Sequence, residues 1–139
     1  MSIEEALAFH TEAFMAVALW TGLSLLLVLV LSLRISLHRR RLKVSVGDGG
    51  HAELTTTTRA FGNATEYLPL ALVALAVVAV FYTAAVVHLL GAAFFIGRVL
   101  HAWGMGQAKQ PALGRSIGMI LTYLTFLGSA GLLIFAALS

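Results

Sequence analysis

The chain has 139 residues, 60% of them hydrophobic and 11% charged, against roughly a quarter charged in a soluble domain, and its mean hydropathy of +0.95 excludes an ordinary soluble fold. It has no cysteine, which excludes disulfides, thiolate metal sites and a cysteine nucleophile. The net charge of +3 and the pI near 9.8 do not call for nucleic acid, because basic residues in a membrane protein mark its cytoplasmic loops.

In chain order, several apolar runs of about 20 residues predict transmembrane helices. The acidic Glu4 and Glu5, and an apolar run too long for a signal sequence, predict a retained first span from about Phe14 to Leu33. A basic cluster, Arg34 to Lys43, follows as a topology determinant that also attracts anionic lipid. Val44 to His51 reads as a flexible, glycine-rich connector; it lacks the Gly-Lys-Ser/Thr of a phosphate-binding loop.

Helix two starts near Ala52–Glu53, and its apolar part runs from Leu68 to Tyr82, with Pro69 expected to bend it. Its first turns carry the most informative stretch, Arg59-Ala-Phe-Gly-Asn63-Ala-Thr-Glu66-Tyr67-Leu-Pro69. At roughly 100° per residue, Asn63 lies about 40° from Arg59 and Glu66 about 20° to the other side, so the three share one stripe. A cation, a carboxamide and a carboxylate on one face of a lipid-embedded helix are costly unless they face protein or a ligand.

Span three, Ala84 to Met105, forms a tight hairpin with span two and carries Arg98 and His101 on one face. Gln107 to Pro111 is a loop, and span four runs from Leu113 to Leu138 with Arg115 and Ser116 in its first turn. Gly114 and Gly118 form a small-xxx-small pair, and Gly128 and Gly131 offer further positions for close helix approach. Residues 1–139 thus read as one all-α integral membrane domain, a four-transmembrane-helix bundle. The lysines and arginines gather on one membrane side, Lys109 included. By the positive-inside rule both termini lie outside, and the polar residues fall in the cytoplasmic half.

Glu66 and Arg98 are expected to pair between helices two and three, since either alone at this depth costs several kcal/mol. That pair by itself could be no more than a packing device. Arg59, Arg115 and Arg40, however, outnumber the one intramembrane carboxylate. An excess of guanidinium calls for an external anion: a carboxylated or phosphorylated ligand, or a lipid headgroup. Taken alone, His101 reads as a hydrogen-bonded packing residue rather than a catalyst, and Tyr67 as a helix-packing residue unless a pocket reaches its hydroxyl. No histidine spacing suits a metal, and no Ser-His-Asp arrangement is present.

The pattern Arg59-x-x-x-Asn63-x-x-Glu66-Tyr67-x-Pro69, with Arg98-Val-Leu-His101 on helix three, resembles the MAPEG family (membrane-associated proteins in eicosanoid and glutathione metabolism). The resemblance covers nearly the whole chain, and the Gly47–Gly50 connector makes it look most like the bacterial branch. It implies a homotrimer of four-helix subunits in the bacterial inner membrane. Glutathione, the co-substrate, or a similar thiol would lie between subunits, in sites open to the cytoplasm. Arg59, Asn63 and Glu66 would hold its charged ends, flanked by Tyr67, with Arg98, His101 and the helix-one Arg40 also contributing. Arg115 and Ser116 would be the catalytic pair. Arg115 would favour the thiolate over a thiol whose ordinary pKa is about 8.5, and Ser116 would donate to the sulfur. A lipophilic electrophile would arrive from the bilayer. Met105 stands where the family usually has a tyrosine, which takes away one ligand-contacting hydroxyl. Beside this transferase or peroxidase reading stand a non-catalytic member binding lipid or a partner protein, and a small transporter or proton-relay subunit.

Overall fold

A computed structural model describes residues 2–107 and 112–139. The chain forms α1 (Ile3–Leu42), α2 (Ala52–Phe81), α3 (Ala84–Met105) and α4 (Leu113–Leu138). All four are long and apolar enough to cross a membrane, and the molecule is an all-helical integral membrane protein. The expected boundaries of α2 to α4 hold. The expected third loop, with Lys109, lies largely outside the described residues.

The first helix is longer than the apolar run alone predicted. Ser2 caps it: its Oγ accepts from the Glu5 N–H at 3.1 Å, while the Ser2 N–H donates to the Glu5 carboxylate at 2.7 Å. At the other end the helix continues through the arginines to Leu42, so the basic cluster is helical rather than a loop beyond the span. Arg39, Arg40 and Arg41 complement the negative end of the helix dipole. Lys43 then stops the helix in a left-handed conformation at φ 55°.

The connector that follows is anchored, not slack. Arg39 Nη1 donates to the carbonyls of Gly47 at 2.9 Å and Ser45 at 3.3 Å. Asp48 accepts from the Gly50 N–H at 3.0 Å and the Thr55 hydroxyl at 2.7 Å. Gly47, Gly49 and Gly50 all adopt positive φ, which explains why the turn is glycine-rich. Glu53, at the start of α2, pairs with Arg41 and sits 3.2 Å from His38, and His38 also meets the Thr57 hydroxyl at 3.1 Å. The basic end of α1 is thus clamped to the first turns of α2.

The helix α2 runs unbroken through Pro69. Tyr82 closes the opposite end of the bundle by donating to the Leu132 carbonyl at 2.8 Å. Within the membrane, small residues decide the packing. Gly91 leaves room for Trp20 of α1, whose Nε1 lies 2.7 Å from where a Cβ would stand. Between α3 and α4, Gly97 faces the Gly118 carbonyl and Gly114 faces the Leu100 carbonyl, with hypothetical Cβ distances of 2.9 and 3.0 Å. Only backbones in near contact leave so little space. Gly128 and Gly131, by contrast, meet nothing tighter than ordinary contact inside the chain. Helix α1 packs on both α2 and α3, and α4 on both α3 and α2, while the backbones of α1 and α4 do not approach each other among the described residues.

The core falls into two clusters. Ala13, Ala16, Leu75, Val78, Ala79, Val87 and Leu90 fill the end near Tyr82. Leu31, Ala60, Ala64, Leu68, Ala71, Phe94 and Ala102 fill the half beneath the basic end. Leu25, Leu29, Leu127 and Phe135 are among the large apolar side chains left facing outward. That is the expected surface of a chain whose solvent is lipid.

Candidate functional site

The stripe on α2 opens into a cavity of about 240 Å³ lined by Thr58, Arg59, Gly62, Asn63, Glu66, His101, Met105 and Arg115. Positions 58, 59, 62, 63 and 66 follow the i, i+1, i+4, i+5, i+8 pattern of one helix face. His101 and Met105 are one turn apart on α3, and Arg115 enters from the first turn of α4. The close α3–α4 contact brings Arg115 in: the Arg115 Cα would stand 3.0 Å from a Cβ on Gly104. Side-chain bulk at Gly104 would push the arginine away from the stripe on α2.

Beneath this cavity lies a layer that the sequence did not disclose. Arg98 is 2% exposed, and the expected Glu66–Arg98 ion pair is not formed. Its Nη1 donates to Asn63 Oδ1 at 2.7 Å, and its Nη2 to Thr122 Oγ1, the Gly118 carbonyl at 3.3 Å and Met119 Sδ at 3.4 Å. The guanidinium lies 5.1 Å from the Tyr67 ring centroid and 5.8 Å from that of Phe94, where ring faces attract a cation. Glu66 sits about 60° around α2 from Asn63. It points outward, exposed, and has no ion-pair partner among the described residues. Helical rotation is the reason for the change of partner. Arg98 reaches the Asn63–Tyr67 side of α2, and Glu66 stays on the cavity side.

The structure therefore sorts the expected site residues. Arg59, Asn63, Glu66, His101 and Arg115 meet at one cavity. Arg98 and Tyr67 support it from below. Ser116 and Arg40 are exposed and outside its lining. Thr58 and Gly62 were missed, although the same helical arithmetic that grouped Arg59 with Asn63 includes them. Met105 is a wall shared with a second cavity of about 390 Å³, which Arg34, His38 and Glu53 also line.

Electrostatically the first cavity presents two guanidiniums, from Arg59 and Arg115, against the single carboxylate of Glu66. Neither arginine makes a hydrogen bond or ion pair to the described residues. His101 is 5% exposed. Its ring opens onto the cavity without a protein hydrogen-bond partner among the described residues. Unspent donors therefore surround one carboxylate.

The model of the MAPEG family matches residues 17–135. The chain belongs to the MAPEG family. No curated protein matches it. The matched segment contains α2 and α3 entire, most of α1 and all but the end of α4, so every residue of the cavity in this MAPEG protein lies inside it. Membership puts the protein among the membrane proteins of glutathione and eicosanoid metabolism. The motif on α2 and the Arg98–His101 pair on α3 occupy adjacent layers of one polar region in this MAPEG chain.

Proposed function

We propose that the protein binds glutathione or a similar low-molecular-weight thiol in the Arg59–Arg115 cavity and activates its thiolate. The thiolate then attacks a lipophilic electrophile or hydroperoxide, a transferase or peroxidase reaction of the MAPEG type. One observation carries this reading: Arg59 and Arg115, both without an ion-pair partner among the described residues, face a cavity with a single carboxylate. Such a site takes an anion and lowers the cost of forming one.

Glutathione brings two carboxylates, one ammonium and a thiol. Arg59 and Asn63 suit its carboxylates, and Glu66 suits its ammonium. Arg115 is the group for the sulfur, since it sits three residues into α4, where the positive end of the helix adds to its charge. Ser116, on the neighbouring helical position, has the lesser part, and no side chain need form a covalent intermediate. The apolar second substrate enters from the bilayer along α1 and α4. In a homotrimer those faces would meet between subunits, since they do not meet within one. The basic end of the bundle faces the cytoplasm of a bacterial inner membrane by the positive-inside rule.

The test is the ultraviolet thiolate difference absorbance on adding glutathione to detergent-purified protein, with Arg115→Ala beside it. A saturable signal lost in the variant supports thiol activation. No signal and no heat of binding would sink it. A second reading, a non-catalytic MAPEG-type protein binding lipid or a partner, is favoured by Met105 in the wall and Ser116 outside the cavity. Under that reading Arg115→Ala leaves the protein's activity in cells unchanged.

A further inference from the structure

The geometry points to Arg98 as a positioning residue that fixes which way round the Asn63 carboxamide stands, and so makes Asn63 a pure hydrogen-bond donor to whatever occupies the cavity. An asparagine side chain can present its oxygen or its NH₂ to a ligand, and the two ends are nearly isosteric. Here the choice is forced. A guanidinium has five N–H donors and no acceptor, so the Asn63 atom 2.7 Å from Arg98 Nη1 must be the oxygen.

Arg98 is itself held in one orientation. The Thr122 hydroxyl donates to the Gly118 carbonyl at 2.9 Å, which leaves its oxygen to accept from Arg98 Nη2. The Gly118 carbonyl accepts from the same nitrogen. Every hydrogen bond that Arg98 makes runs outward from α3, to α2 or to α4. The Tyr67 and Phe94 rings flank the guanidinium, and at 2% exposure it has little room to turn.

The consequence appears in the cavity. Asn63 lines it, and its NH₂ has no partner among the described residues. Two N–H donors therefore face the ligand beside the arginines, and Glu66 is the acceptor left for a ligand cation. The ligand group at Asn63 must be an acceptor, such as a carboxylate or a peptide carbonyl. This rests on the thiol reading above and narrows it: a peptide-like or carboxylated thiol is taken, and an aminothiol with no carboxyl or carbonyl oxygen is refused.

Asn63→Asp tests this, measured on the full chain in detergent beside Asn63→Ala, Arg98→Lys and the wild type. An aspartate would pair with Arg98 and offer the cavity only acceptor oxygen. Its thermal midpoint should then match or exceed that of the wild type, while Asn63→Ala falls. Glutathione affinity by calorimetry should drop about tenfold or more in Asn63→Asp, and Arg98→Lys, still a donor, should keep much more of it. The idea is overturned if Asn63→Asp binds glutathione as well as the wild type, or melts as low as Asn63→Ala. If the wild type takes no glutathione, the thiol reading fails and the orientation does not. The order of melting, with Asn63→Asp above Asn63→Ala or level with it, still decides the latter.

Discussion

A buried arginine without a carboxylate is an uncommon expense in a membrane protein, and Arg98 meets it with neutral acceptors and two aromatic faces. Sequence arithmetic chose Glu66 as its partner because opposite charges at that depth normally find each other. Instead the site keeps Glu66 for the cavity. Gly62 shows the opposite kind of residue, one whose value is empty space. A Cβ there would meet nothing within 4 Å, so Gly62→Ala should stabilise the helix by about 0.5–1 kcal/mol, readable as a higher melting midpoint. Gly62→Leu should fold as well but fill the cavity and lose glutathione binding in calorimetry. Asp48 is a third case. The Thr55 hydroxyl, then the Gly50 N–H, hold its carboxyl below its ordinary value of 3.8. A lowered value means the anchor is complete above that pH and is lost as pH falls through the lower folded value. Protease sensitivity of the connector should therefore rise only below about pH 3.8, whereas Asp48→Ala should show it at neutral pH.

The helices contribute by how closely they approach. The first turn of α4 reaches the cavity because α3 and α4 touch through glycines at 97, 104, 114 and 118. A Cβ on Gly118 would fall 2.6 Å from the His101 backbone nitrogen and 2.8 Å from His101 Cβ. Gly118→Ala should thus cost about 1–3 kcal/mol through overpacking and draw Arg115 away from Asn63, lowering thermal midpoint and glutathione affinity together. Gly131→Ala serves as the contrast. Nothing lies within 4 Å of it inside the chain, so the single subunit should not feel it. Loss of subunit association on substituting Gly131 with leucine, measured by light scattering in detergent, would place that glycine in a contact between chains.

At the scale of the whole molecule, the outward apolar surface and the unpartnered faces of α1 and α4 suit a membrane assembly. The proposed homotrimer should scatter light as about three times 14.8 kDa once bound detergent is subtracted; a monomer would leave the proposed lipophilic route along α1 and α4 without its second wall. Orientation has an equally direct check, because the chain has no native cysteine. In intact cells an impermeant maleimide should label Ser139→Cys and spare Ser45→Cys. The reverse pattern would turn the cavity to the outside.

The sequence by itself determined the number of helices, three of the four spans to within a residue or two, and the stripe of Arg59, Asn63 and Glu66. Hydropathy length and the 100° helical step are local properties, carried by consecutive residues. The length of α1 escaped because hydropathy marks where lipid ends rather than where a helix does, and capping by Ser2 and Lys43 is independent of that boundary. Which residues meet across helices was a tertiary decision. Arg98 joining Asn63 rather than Glu66, Arg115 entering the cavity while Ser116 stays outside, and Gly62 facing space depend on helix rotation and backbone separation. Those were settled by the glycine contacts between α3 and α4 and by the rotation of α2, which bring together residues distant in the chain.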